Sequence, residues 1–337
     1  MNLFRILAWT VAFAAAAAGA WWWYYGRGIE VSAAAPTRGT AVEIVYATGT
    51  VEPVRWAKVA SIVRARITEI CDCEGKVVKQ GDLLTRLDDR EVRAQLTELK
   101  AREEFAKREL SRVTELIGRG SATTQSHERA SMDLRQIQGL ISVQTEKIDQ
   151  YTIASPMDGV VLRRDGEIGE IAEAGQILYR VGVPKPLRIV AEVNEEDIPR
   201  VVIGQKTLLR TDAFPNQALD GAVSEITPMG DSSAKTYRIR IALPDDTPLK
   251  PGMSVEANVV TREKPDALLV PGEAAQGSTV FVINGDRAER HAITVGIRGT
   301  RAIEILSGLA ESERVAVPFP TALRPGGRVR AIERAPQ

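Results

Sequence analysis

Val77-Val78-Lys79-Gln80-Gly81-Asp82-Leu83-Leu84-Thr85-Arg86-Leu87 returns in step as Ile171-Ala172-Glu173-Ala174-Gly175-Gln176-Ile177-Leu178-Tyr179-Arg180-Val181. Extended without a gap, 59–87 matches 153–181. Ala60-Ser61 falls on Ala154-Ser155 and Gly75 on Gly169, while Val77/Ile171, Leu83/Ile177 and Leu87/Val181 keep the apolar beat. A half-motif with so few apolar positions cannot bury a face alone, and internal repeats pack on one another. The two copies are therefore expected to form one small β-sandwich, from which the charged stretch between them projects as an insertion.

That insertion reads as two antiparallel helices. Val92, Leu96, Leu99, Glu103, Ala106, Leu110, Val113 and Ile117 recur at alternating spacings of four and three, the seam of a coiled coil, and Ala130, Leu134, Ile137, Ile141, Gln144, Ile148 and Tyr151 repeat the pattern. Folding at Gly118-Arg119-Gly120-Ser121 pairs Val92 with Tyr151, Leu96 with Ile148, Leu110 with Leu134 and Val113 with Ala130 in a single register. Asp88 or Asp89 is the expected N-cap of the first helix, and Thr123 or Thr124 that of the second. At about 1.5 Å per residue, each arm reaches roughly 40 Å. Glu103 and Gln144 interrupt the apolar seam opposite Ile141 and Leu99. On that reading Glu103→Leu is expected to raise stability while loosening register.

Lys+Arg and Asp+Glu both number 44 among 337 residues, so no basic excess points to nucleic acid, and 44% hydrophobic content with 26% charge is that of a folded protein. Residues 3–25 are apolar except for Arg5 and Thr10 and end in Trp21-Trp22-Trp23-Tyr24-Tyr25. That is the length of a membrane span closed by an interfacial aromatic belt. Arg5 ahead of it places the rest of the chain outside the cytoplasm. Ala18-Gly19-Ala20 has the form of a signal-peptide cleavage site and carries the competing reading, a cleaved leader.

After an Ala/Pro/Gly linker, residues 41–54 alternate as strands do. Further strands are expected at 187–193, 206–211, 221–226, 237–243 and 253–260, with a short helical turn at Glu195-Glu196-Asp197-Ile198. Short strands at this spacing indicate a small closed barrel. Pro265-Asp266 marks a boundary, beyond which strands at 268–270, 280–283, 290–295, 302–305 and 314–317 make a last β-rich unit. Pro, Gly and charge dominate the tail from Pro318. Cys71 and Cys73 are the only cysteines. In an extended strand their Cβ atoms stand too far apart for a disulfide, so free thiols are expected, with a redox pair or soft-metal site as alternatives.

Glu74-Gly75-Lys76-Val77-Val78-Lys79-Gln80-Gly81-Asp82-Leu83-Leu84 and its return at Ala154-Ser155-Pro156-Met157-Asp158-Gly159-Val160-Val161 resemble the split lipoyl domain of the periplasmic adaptor, or membrane fusion, proteins of HlyD/RND type. The barrel is similar to that family at Glu195-Glu196-Asp197-Ile198, Gly204-Gln205, Asp212-Ala213-Phe214-Pro215 and Leu249-Lys250-Pro251-Gly252-Met253. The last unit is similar at Val270-Pro271 and Glu304-Ile305-Leu306-Ser307-Gly308-Leu309. The resemblance implies a mainly β chain with an inserted coiled-coil hairpin, its lipoyl-like sandwich, β-barrel and membrane-proximal β domain in linear, discontinuous order. The implied division is an anchor or uncleaved signal at 1–26, a linker and first strands at 27–54, a lipoyl-like domain at 55–88 with 152–182, a hairpin at 89–151, a barrel at 183–262, and a membrane-proximal domain and tail at 263–337.

The implied role is export across the envelope. An inner-membrane pump, of RND type or alternatively ABC type, is tied by this adaptor to a TolC-type outer-membrane channel. The adaptor is implied to be membrane-anchored with its bulk in the periplasm and to associate into a hexameric ring. Arg112, Leu116 and Thr123 match the Arg-x3-Leu-x6-Ser pattern with which the family meets its channel, Thr standing for Ser. Arg112 and Leu116 share a helix face beside the seam, and Thr123 follows the turn on the opposite side of the tip.

The residues give no sign of catalysis. His127 and His291 are the only histidines, and no Gly-rich phosphate loop and no Ser/His/Asp or metal-ligand grouping occurs at usable spacing. No catalytic, cofactor-binding or metal residues are assigned, and no cofactor is expected. A remote alternative is a lipoyl or biotinyl carrier module, but the tight turn that would present its modified Lys is replaced here by the whole insertion.

Overall fold

The computed structural model describes residues 29–215 and 217–333. The anchor and cleavage-site readings of residues 1–26 lie outside them. Among the described residues no helix is long and apolar enough to cross a membrane. The chain forms two compact units, one of residues 51–188 with 244–252 and one of the remaining described residues.

In the first unit the repeat becomes an internal pseudo-twofold axis. Trp56–Ala60, Ile177–Gly182, Gly159–Arg164 and Val77–Val78 make one four-stranded sheet, and Thr152–Ala154, Leu83–Leu87, Ala65–Ile70 and Ile171–Ala172 make the other. Each sheet draws strands from both copies, so neither copy can complete a sheet by itself. Equivalent residues make equivalent bonds. Ser61 N donates to Gln176 O and Ser155 N to Asp82 O, both at 2.9 Å. The Ser61 and Ser155 hydroxyls donate to Val63 O at 2.6 Å and Met157 O at 2.7 Å. The core joins Val59, Ile67, Val78, Leu84 and Leu87 of the first copy to Ile153, Val161, Ala172, Leu178 and Val181 of the second.

Thr85 and Tyr179, themselves equivalent, meet across the axis with their hydroxyl oxygens 2.8 Å apart, and the Tyr179 hydroxyl donates to Leu84 O at 2.7 Å. Both side chains are fully enclosed, and burial pushes the Tyr179 phenol above its ordinary pKa. Tyr179→Phe strands the Thr85 hydroxyl in an apolar core. The expected cost is about 1–3 kcal/mol, read as a lower urea midpoint. An unchanged midpoint would mean that the hydroxyl pair contributes nothing.

Two helices, α1 (Arg90–Gly118) and α2 (Thr124–Asp149), lie between the copies. They are rooted in the sandwich by Leu87 N donating to Tyr151 O and Asp88 N to Arg66 O, each at 2.8 Å. Every seam position from Val92 to Ile117 and from Ala130 to Tyr151 is buried or half-buried, as apolar faces in mutual contact require. The polar seam residues find partners. Gln144 donates to Val92 O at 2.9 Å and to Gln95 Oε1 at 3.0 Å, while Glu103 accepts from Gln138 at 3.1 Å and pairs with Lys107 at 2.8 Å. Those bonds hold the Glu103 carboxyl below its ordinary pKa, Lys107 contributing most. Glu103→Leu would remove these bonds, which set a cost against the stability gain expected from an apolar seam residue. Asp89 occupies the N-cap of α1 without making a side-chain cap bond, because its carboxylate pairs with Arg93. Asp88 accepts from Arg90 N instead, at 3.3 Å.

The expectation of free thiols is corrected. Cys71 and Cys73 are joined in a disulfide. Their strand ends at Ile70, and the chain turns. The Cα atoms come to 5.2 Å, inside the range a disulfide spans and shorter than two extended residues allow.

In the second unit, Lys206–Arg210, Leu219–Ile226, Thr236–Ala242, Leu187–Asn194, Thr37–Pro53 and Ser254–Pro271 pair in that order, and Ser254–Pro271 pairs back on Lys206–Arg210 to close a barrel. Strict alternation puts Leu187, Ile189, Ala191 and Val193 inside it. The short helical turn falls at Ile198–Arg200, a little later than the acidic run expected to form it.

Thr37–Pro53 and Ser254–Pro271 run on into the last β-rich unit. Pro265-Asp266 does not break the strand: the register shifts between Lys264 and Ala267, Asp266 takes a φ of 54°, and Arg38 donates to its carbonyl and carboxylate, both at 3.2 Å. A bulge of this kind bends a strand while keeping it paired. Beyond it the buried Glu304 accepts from Ile297 N at 2.9 Å and pairs with Lys264. The stretch read as a linker holds the strand Ile29–Ala34, and the tail holds Gly327–Glu333. The two pair in parallel, Ile29 opposite Val329, and Val315–Val317 flanks the first.

Candidate functional site

The tip joining α1 to α2 is a built turn. Gly120 N donates to Ile117 O at 2.9 Å and Ser121 N to Leu116 O at 2.8 Å, the bond pair of a Schellman ending, with Gly120 at a φ of 71°. A side chain at that φ would be strained, so glycine sets the reversal. Thr123 then caps α2. Its hydroxyl oxygen accepts from Ser126 N at 3.2 Å, and the Ser126 hydroxyl donates to Thr123 O at 2.6 Å. Only the oxygen of Thr123 is used by the cap, so its hydroxyl proton remains available to donate outward.

Between the helix ends lies an open groove of about 470 Å³ lined by Arg112, Leu116 and Thr123 together with Glu109, Arg129 and Asp133. All three residues singled out from the sequence therefore share one groove. Thr123, which follows the turn, lines the groove with them because the Schellman ending brings the chain sharply back. Leu116 is half-buried and presents its remaining surface here. The Arg112 guanidinium is held by both oxygens of Glu109, which raises its pKa above the ordinary value. That pair is exposed and so adds little stability; it holds the fork in place and is easily exchanged for another anion. Small side chains at Ser121, Ala122 and Ser126 keep the groove open.

Glu109, Arg129 and Asp133 were missed by sequence reasoning. Glu109 was legible, sitting three residues before Arg112 on the same face. Arg129 and Asp133 come from the other helix, and only the packing brings them in. His127 is half-buried and does not line the groove.

Residues 55–183 match the family described as the RND MFP barrel-sandwich hybrid domain, and residues 187–263 match the CusB-like beta-barrel domain. The chain is a membrane fusion protein. It is similar to the multidrug resistance protein MdtA of Yersinia enterocolitica, 26% identical over 335 residues, covering 90% of this chain and 75% of the relative. MdtA of Yersinia pestis is also 26% identical, over 334 residues with the same coverage. The fold is shared with a MacA-MexA chimera carrying the Pseudomonas aeruginosa MexA α-hairpin domain, at TM-score 0.62 and 22% identity, covering 84% of this chain and 97% of that one. It is shared too with MacA from Actinobacillus actinomycetemcomitans, at TM-score 0.53 and 23% identity, covering 84% and 98%. Within this membrane fusion protein the first matched region carries α1, α2 and the tip groove as its insertion.

Proposed function

We propose that this chain is the periplasmic adaptor of an RND-type efflux pump, tying an inner-membrane transporter to a TolC-type outer-membrane channel. It acts without catalysis. The observation that carries the reading is the tip groove, where an apolar anchor, a planar guanidinium and the helix-capping Thr123 hydroxyl converge at the far end of a helix pair. An anchor of that kind beside a donor fork concentrates binding energy at an interface. The similarity to MdtA and to the RND-named domain families supports an RND transporter as the inner partner.

In this reading α1 and α2 form a coiled-coil hairpin at 89–151, set on a lipoyl-like domain and followed by barrel and membrane-proximal domains. Residues 1–26 anchor the chain in the inner membrane, its bulk lies in the periplasm, and copies associate as a hexameric ring. Arg112, Leu116 and Thr123 make the channel contact.

Cross-linking in intact cells, followed by affinity purification of the full chain, tests the assembly. An RND transporter and an outer-membrane channel are the expected companions. Recovery of an ATP-binding permease in the transporter's place would move the adaptor to an ABC exporter, and recovery of neither membrane partner would end the adaptor reading.

A further inference from the structure

The two copies in the sandwich provide an internal comparison for one feature that export does not use. Where the first copy turns at Cys71-Asp72-Cys73, the second turns at Asp165-Gly166-Glu167. The backbone bonds around the two turns correspond. Cys71 N donates to Leu84 O at 2.8 Å as Asp165 N does to Leu178 O at 2.7 Å, and Lys76 N donates to Cys73 O at 2.9 Å as Glu170 N does to Glu167 O at 3.2 Å.

What holds each turn is different. In the second copy Gly166 takes a φ of 115°, Asp165 is gripped by Arg163 at 2.8 Å and Arg180 at 2.6 Å, and Arg164 meets Glu167 at 3.3 Å. The first copy has no glycine and no arginine clamp there. Asp72 lies outside the left-handed region, and Lys76 reaches its carbonyl at 2.6 Å. The Cys71–Cys73 bond stands in for the rest. The same backbone is thus held permanently on one side of the axis and by a bond that can be made and broken on the other.

The position suits exchange better than bracing. A disulfide closing so short a loop removes little entropy from the unfolded chain, since that gain grows with loop length. Cys73 is packed in the core at 5% exposure, whereas Cys71 is half-buried and Asp72 is exposed. One sulfur is open to attack and the other is a shielded leaving group. With no third cysteine in the chain, the pair can re-form only with itself.

We propose that Cys71–Cys73 is a thiol–disulfide exchange site whose substrate is a dithiol. A thiolate of the dithiol attacks Cys71 Sγ, and the Sγ–Sγ electron pair leaves on Cys73, which takes up a proton. The dithiol's second thiolate then attacks its own sulfur in the mixed disulfide. Cys71 leaves as thiolate and is protonated, so the two cysteines gain the two protons and two electrons that the dithiol loses. Opening releases the first turn, through Glu74 bridged to Val161 and the exposed Val77, while the second turn holds.

The test uses the purified full chain prepared without reductant and does not depend on the adaptor reading. Maleimide labelling should count no thiols as isolated and both cysteines after dithiothreitol in native buffer, with circular dichroism and the cooperative melt retained. Cys73→Ser, which leaves the accessible sulfur, should form a mixed disulfide with oxidised glutathione at least about tenfold faster than Cys71→Ser. The proposal is overturned by two thiols in the isolated protein, by opening only in denaturant, by loss of the cooperative melt on opening, or by equal or reversed glutathionylation rates.

Discussion

Cells whose only copy of this chain carries Arg112→Asp or Leu116→Ser should lose export, accumulating the transported compound as a deletion strain does, at unchanged chain abundance and envelope location. Leu116→Ser removes the apolar anchor of the tip groove, a contribution of about 1.5–3 kcal/mol when such a side chain is fully buried by a partner. Arg112→Asp does more. It deletes the planar fork and leaves Glu109 and Asp133 in the groove with Arg129 as the remaining cation, so an acidic surface replaces a mixed one. A loss of about 2–4 kcal/mol at such a centre lowers affinity by roughly 30- to 1,000-fold. Neither side chain is a seam residue, and Arg112's pair with Glu109 is exposed, so melting should be unaffected. Thr123→Ser keeps both the cap oxygen and the donor and should export as the parent does. Normal export by both damaging variants at normal abundance would remove the channel contact from this groove.

Gly49→Val should unfold the barrel. Gly49 lies in Thr37–Pro53, where a Cβ would meet Val190 O at 2.5 Å, Ala191 Cα at 2.7 Å and Ile189 Cγ2 at 2.7 Å. Two of those neighbours are backbone atoms of the adjoining barrel strand, which is fixed by its own pairing and cannot yield as a flexible side chain would. The expected cost is at least about 3 kcal/mol, at the upper end for overpacking. Limited proteolysis reads it directly. Cleavage should appear within 187–263 while 59–181, in the other compact unit, stays protected. Thr48→Val, at an exposed neighbouring position, is the control. If Gly49→Val resists protease and melts with its parent, the two strands do not approach this closely.

The repeat was legible because its positions carry the bonds themselves. Ser61 and Ser155, or Thr85 and Tyr179, occupy equivalent places and do equivalent work, so matching residues implied matching structure. The exchange of strands between the sheets was not legible, since a repeat says that two copies pack and leaves open which strands they share. The helix faces followed from spacing, yet the partners of Glu103 and Gln144 depend on Gln138 and Gln95, polar residues that no periodicity marks. The cysteine pair was misread because alternation was carried past Ile70, where the strand ends. Pro265-Asp266 looked like a stop because proline usually ends pairing, and here a bulge absorbs it. At the tip, Arg112 and Leu116 came from one helix and could be seen together, whereas Arg129 and Asp133 came from the other and could not.

The pairing of Ile29–Ala34 with Gly327–Glu333 bears on how the chain is made. Ile29–Ala34 is synthesised long before its partner, so this sheet cannot close until Gly327–Glu333 has emerged from the ribosome. Contacts so distant along the sequence fold slowly, because the loop between them must be ordered before they repay it. The sandwich is freed earlier, once residue 182 has emerged. Assembly is therefore staged. The unit bearing the helix pair matures first, and the sheet that joins Ile29–Ala34 to Gly327–Glu333 closes only after the later strand has emerged.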